Sequence, residues 1–200
     1  MTDLPAAPTS RTLGNSDITI SPIAWGTWRL NRDARSAVDA ARLVHAAIDA
    51  GISLIDTADI YGFNGTAGFG EVETSLGGIF AAQPNLRSRL VLATKGGIRP
   101  PLPYDQSPRY LREAIDASLR RLKTDWIDLY QIHRPDLLAH PQEVARVLDD
   151  ALASGRVRAV GVSNFSVHQV SALLNFLGHG LVATQPEISP LRIAPIENGE

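Results

Sequence analysis

The chain of 200 residues contains no cysteine and a single methionine. A disulfide framework, a thiolate nucleophile and a Cys-based metal site are therefore excluded, and a reducing compartment is permitted. Charge of one sign is also missing. Lys and Arg number 19 against 21 Asp and Glu, and a formal net charge of -2 supplies no basic field for nucleic acid or anionic lipid. No apolar run approaches the roughly 20 residues of a membrane span. The first ten residues mix Asp3 with prolines and show neither a basic start nor an apolar stretch, so no secretory signal is legible. The histidines at 45, 133, 140, 168 and 179 lack paired ligand spacing, so no metal site is expected. These absences point to a cytoplasmic protein without a nucleic-acid or membrane partner. What is present, 44% hydrophobic and 20% charged residues, is ordinary for a soluble globular domain with a real core.

Strand and helix signals alternate along the chain. Residues 1–16 read as a flexible lead-in. Ile18 to Trp28 then offers short extended segments, with Pro22 better suited to an edge or bend, predicting a lid hairpin followed by the first core strand. Val38, Ala41, Val44 and Ile48 keep helical spacing up to a terminating Gly51. Ile52 to Ala58 reads as a strand, followed by a loop with glycines at 62, 65, 68 and 70, and a short helix through Val72, Leu76 and Ile79. Leu90 to Thr94, Trp126 to His133, Val157 to Asn164 and Val182 to Gln185 are four further strands. Helices open at Ser107-Pro108, Pro141 and Ser166, where a cap or an N1 proline suits a helix start.

This alternation demands a parallel sheet covered by helices. Polar candidates stand at the end of every strand, and a ring of strand ends feeding one site is barrel geometry. The fold expected is thus α/β, a (β/α)8 TIM barrel of which the chain supplies about six βα units over residues 17–200. A complete barrel takes about 250 residues. Six strands would leave two open edges, so the missing strands are expected either from the rest of a longer chain or as complementary strands from elsewhere.

The chemistry gathers at three strand ends. Asp56 and Tyr61 follow one, Lys95 ends a second and His133 ends a third. Each has an ordinary structural reading: Asp56 as a turn cap, Tyr61 as a packing aromatic, Lys95 as a surface cation, His133 as a satisfied strand-end imidazole. Together they do more. A tyrosine, whose hydroxyl has an unperturbed pKa of about 10, gives up its proton more readily beside an ammonium. Lys95 supplies that charge, Asp56 orients Lys95, and a neutral His133 donates to a carbonyl oxygen. The set suits hydride addition to a carbonyl with Tyr61 as general acid. Gly68-Phe69-Gly70-Glu71-Val72-Glu73 is rejected as a dinucleotide fingerprint because Glu73 replaces the third glycine.

At these residues the chain resembles the aldo-keto reductase family. The matching segments are Asp56-Thr57-Ala58-Asp59-Ile60-Tyr61-Gly62, Ala93-Thr94-Lys95, Gln131-Ile132-His133-Arg134-Pro135-Asp136, Gly161-Val162-Ser163-Asn164-Phe165 and Gln185-Pro186-Glu187, in the family's order. The resemblance implies a (β/α)8 barrel reducing a small-molecule aldehyde or ketone with NADPH, or with NADH, without a Rossmann fold. It assigns Asp56, Tyr61, Lys95 and His133 to the catalytic tetrad. Ser163, Asn164 and Gln185 fall where the family holds the nicotinamide carboxamide, and Gly26, Thr27 and Trp28 near the nicotinamide ribose. Ile188 departs from the aromatic that many relatives carry after the sixth strand. The family's pyrophosphate loop and 2'-phosphate segment belong to the seventh and eighth strands, so this chain by itself is expected to carry the chemical groups yet bind cofactor poorly. The alternative is a catalytically silent nucleotide-sensing or interaction module on the same barrel; a metal-free isomerase on it is a third reading.

Overall fold

The computed structural model describes residues 10–197. Its strands are β1 (Arg11–Thr12), β2 (Thr19–Ile20), β3 (Trp25–Gly26), β4 (Leu54–Asp56), β5 (Val91–Gly96), β6 (Ile127–Ile132), β7 (Val157–Ser163) and β8 (Ala183–Gln185). The helices are α1 (Leu30–Asp33), α2 (Ala37–Asp49), α3 (Glu71–Ala82), α4 (Pro84–Arg87), α5 (Pro108–Leu122), α6 (Pro141–Ala153), α7 (Val167–Leu174) and α8 (Ala194–Glu197). Strands β3 to β8 form one parallel sheet in sequence order, the topology of six consecutive units of a (β/α)8 barrel. No helix among the described residues is long and apolar enough to cross a membrane.

Caps explain why the longer helices start where they do. Ser36, Ser107 and Ser166 each accept a hydrogen bond from the backbone amide three residues on, and Ser166 with Gln169 completes a capping box. Pro108 and Pro141 occupy first-turn positions, where a missing amide costs nothing. Lys123 ends α5 in the left-handed conformation at φ 51°.

The two faces of the sheet pack differently. Outward residues such as Ile55, Leu92, Tyr130, Ile132, Val160 and Val162 are buried against the helices. Inward residues Leu54, Ala93, Leu129 and Ala159 form a separate apolar cluster with Ile18. Since side chains of a strand repeat on one face every second residue, the next inward positions are Asp56, Lys95, Gln131 and Gly161. Apolar filling at the N-terminal end thus gives way to polar groups at the C-terminal end.

The opening hairpin differs from the expected lid. It is the antiparallel pair β1–β2, so Arg11 and Thr12, expected in the lead-in, are strand residues; residues 1–9 of that lead-in lie outside the described residues. Ile18 enters the inward apolar cluster, and Ser21 and Ser53 exchange amide-to-hydroxyl bonds of 2.7 and 2.9 Å. A side chain at Gly14 would run into the Val182 backbone. All these contacts lie at strand beginnings, so the hairpin stoppers the barrel at the end opposite the polar groups. The reason is hydrophobic: Ile18 is the residue that fills the bottom layer.

Candidate active site

Backbone pairing delivers the polar groups to one end. Lys95 stands opposite Gln131 across β5 and β6, Gly26 opposite Asp56 across β3 and β4, and Ser163 opposite Gln185 across β7 and β8. His133 follows β6 directly, with its amide bonded to the Gly96 carbonyl at 2.9 Å.

At the centre is a buried ion pair. Lys95 is 1% exposed; its Nζ donates to Asp56 Oδ1 and Oδ2 at 2.7 and 2.6 Å, to the Thr57 carbonyl at 3.0 Å and to the Tyr61 hydroxyl at 3.3 Å. A charge this deeply buried persists only when paired and hydrogen-bonded, and here all the lysine's partners are oxygens. The rings of Tyr61 and His133 meet edge to face with centroids 5.8 Å apart. The structure therefore brings together all four residues that the sequence reading nominated for the chemistry. His133 is held neutral: burial first, then the positive charges of Lys95 and Arg134, push its pKa down to about 3. Its Nδ1 is buried without a hydrogen-bond partner.

The residues nominated for a nucleotide are arranged less uniformly. Trp28 is 65% exposed and free to contact a ligand, and a side chain at Gly26 would meet nothing within 4 Å, so this lip is open. Thr27 is fully buried and its hydroxyl donates to the Asp56 carbonyl at 3.0 Å, which commits the side chain to the strand junction. Asn164, at φ 60°, donates its amide to the His133 carbonyl and to Ser163 Oγ, and Ser163 Oγ donates to the Gln185 carbonyl. Gln185 turns inward, its amide nitrogen donating to Asp56 Oδ2 at 3.3 Å and its oxygen accepting from Gln131. These donors are uncharged amides and hydroxyls. They fit a carboxamide and sugar hydroxyls, and bring no positive charge to a phosphate.

Two participants escaped the sequence reading. The Thr57 carbonyl is a backbone group with no sequence signature. Gln131 was legible through its strand: it lies two residues from both Leu129 and His133, hence on the same inward face.

A sequence model of the Aldo/keto reductase family matches residues 22–198. The chain is 67% identical over its whole length to a 6-dehydroglucose reductase of Novosphingobium aromaticivorans, covering 66% of that protein. It is 37% identical over 191 residues to a 6-dehydroglucose reductase of Agrobacterium fabrum, covering 62% of it. Among solved structures, a holo-form aldo-keto reductase from Bacillus halodurans superposes with a TM-score of 0.80 at 29% identity, over 94% of this chain and 60% of that one. A glycerol dehydrogenase from Gluconobacter oxydans gives 0.81 at 32% identity, over 95% of this chain and 58% of that one. A parallel barrel sheet with Asp, Tyr, Lys and His at its C-terminal mouth, and a family match spanning nearly every described residue, place this chain in the aldo/keto reductase family.

Proposed function

We propose that the chain supplies the reacting end of an NADPH-dependent reductase that converts a sugar aldehyde to the primary alcohol, with a hexose oxidised at carbon 6 as the substrate class. One observation carries the chemical part: Lys95 Nζ lies between the Asp56 carboxylate and the Tyr61 hydroxyl, beside a neutral His133. The names of the two reductases reported above support the substrate class.

The reduced nicotinamide, when bound, supplies the hydride. The chain's own residues manage the oxygen. Tyr61 gives its hydroxyl proton to the carbonyl oxygen as negative charge develops there. The Lys95 ammonium, 3.3 Å from that phenol oxygen, stabilises the phenolate left behind, and Asp56 keeps the ammonium from swinging away. His133, carrying no charge of its own, lends one N–H to the same oxygen. In this reading Ser163, Asn164, Gly26 and Trp28 hold the nicotinamide end of the cofactor; Ser163, Asn164 and Gln185 donate to it only by exchanging the bonds they make within the chain. A shallow cleft of about 600 Å³, lined by Ile60, Phe63, Ile98 and Pro100 to Pro103, borders the turn that carries Tyr61, although none of Asp56, Tyr61, Lys95 and His133 lines it.

The test follows NADPH oxidation with a glucose 6-aldehyde in a polypeptide that completes the barrel around this chain. Tyr61→Phe is expected to lower kcat by about 10² to 10⁴-fold, the usual worth of a general acid. Unchanged turnover would remove the proposed acid, and cofactor binding without reduction of any carbonyl in a broad panel would leave a silent nucleotide-binding module.

A further inference from the structure

Asp56 and Asp59 stand three residues apart and fall on opposite sides of the barrel wall. Asp56 faces the interior and has its counter-ion. Asp59, 1% exposed, is enclosed on the helix side, and neither of its carboxyl oxygens has a hydrogen-bond partner. The cations nearby are already committed: Lys95 holds Asp56 through both carboxylate oxygens, and Arg121 holds Glu73, its Nε and a terminal nitrogen both 2.7 Å from Oε2. Glu73 receives a further bond, from Thr94 Oγ1 at 2.6 Å. The Tyr130 hydroxyl is likewise buried and without a partner. Gly96 joins the two orphans, since a side chain there would run into the Tyr130 hydroxyl and stand 3.2 Å from Asp59 Oδ2.

The backbone of Asp59 belongs to the turn that carries Tyr61. Its amide donates to the Lys95 carbonyl at 3.0 Å, and its carbonyl accepts from Gly70, the residue that caps α3, at 2.7 Å. The loop holding Tyr61 therefore leaves and re-enters the wall at this one residue.

We propose that Asp59 is a positioning residue: its side chain is a buried carboxylic acid which, sharing the space beside Gly96 with the Tyr130 hydroxyl, fixes the base of the turn that presents Tyr61. A carboxylate enclosed without donor or free cation would be far too costly, whereas the acid form carries no charge to be solvated and leaves only neutral polar atoms, its own and the Tyr130 hydroxyl, in the space beside Gly96. The electrostatics agree. Burial first and the Glu73 charge second hold the acid well above the usual carboxylate range; Arg121, the Ile60 amide, which lies outside hydrogen-bonding geometry, and Lys95 pull the other way without cancelling them. Tyr110 and Tyr130 complete the titratable surroundings, and both are raised chiefly by burial.

The spectroscopic test uses a polypeptide in which the barrel around this chain is complete. A protonated-carboxyl infrared band is expected at pH 7 and should vanish in Asp59→Asn; its absence from the parent chain would overturn the proposal. The kinetic test rests on the reading of Tyr61 as the acid and uses the same completed barrel. Asp59→Ala should lower kcat about tenfold with the aldehyde KM held within about twofold, and Asp59→Asn, shaped like the neutral acid, should restore most of it. Equal kcat in the Ala variant and the parent would overturn the positioning role. If Tyr61→Phe also left turnover intact, the kinetic reading of the site would fall, while the infrared result would still decide the state of Asp59.

Discussion

His133 shows how far one side chain's surroundings set its chemistry. Lowered from 6.5 to about 3 by burial and two neighbouring cations, it stays neutral in the folded chain across the range in which the unfolded chain becomes protonated. Its contribution to stability is therefore complete above pH 6.5 and is lost as pH falls toward about 3. His133→Gln should make the unfolding free energy less steep between about pH 6.5 and pH 4, by close to one proton, measured by denaturant titration at several pH values. Identical slopes would mean that the ring is solvated. Asp128 illustrates the complementary case of a buried charge fully met. Its carboxylate accepts from Leu92 N, Trp126 Nε1, Arg87 and Arg158 at 2.8 to 3.2 Å, which closes the N-terminal end of the sheet around one satisfied group.

At the scale of elements, α3 and α5 are brought together by a glycine. A side chain at Gly77 would collide with the Arg121 carbonyl and approach Leu122. That close approach lets Arg121 reach across to Glu73 and keeps the start of α3, and with it the Tyr61 loop, against the wall. Gly77→Ala should cost roughly 1 to 3 kcal/mol through forced separation, although alanine is the better helix former, while Gly78→Ala, with open space at the same test position, should be neutral or stabilising. Thermal unfolding of the two variants separates packing from propensity. The amphipathic helices were legible because α2, α5 and α6 repeat their apolar residues at helical spacing and begin at readable caps. The single-turn helices α1 and α4 were not, since four residues are too few for a period to show. Arg87, within α4, is buried because Asp128, distant in sequence, requires a cation, and no local signal announces that.

For the molecule as a whole, the sheet order β3 to β8 leaves β3 and β8 without a second neighbour among the described residues. Unpaired strands with ready hydrogen-bonding groups recruit other chains. We expect the 200-residue chain alone to associate as its concentration rises, and to bind NADPH more weakly than micromolar. Sedimentation velocity and fluorescence titration check both; a monodisperse monomer with micromolar affinity would contradict them.

The residues themselves determined the alternation of strand and helix, the barrel class and which strand ends carry Asp56, Tyr61, Lys95 and His133, because period, caps and strand-end position are properties of short segments. Tertiary structure decided the rest. It sent the opening hairpin to the bottom of the barrel, where Ile18 finds its apolar partners, turned Gln185 and Thr27 toward Asp56, and left Asp59 enclosed without a cation. Each of these outcomes depends on which distant groups compete for the same buried partner, and that competition exists only once the strands stand side by side.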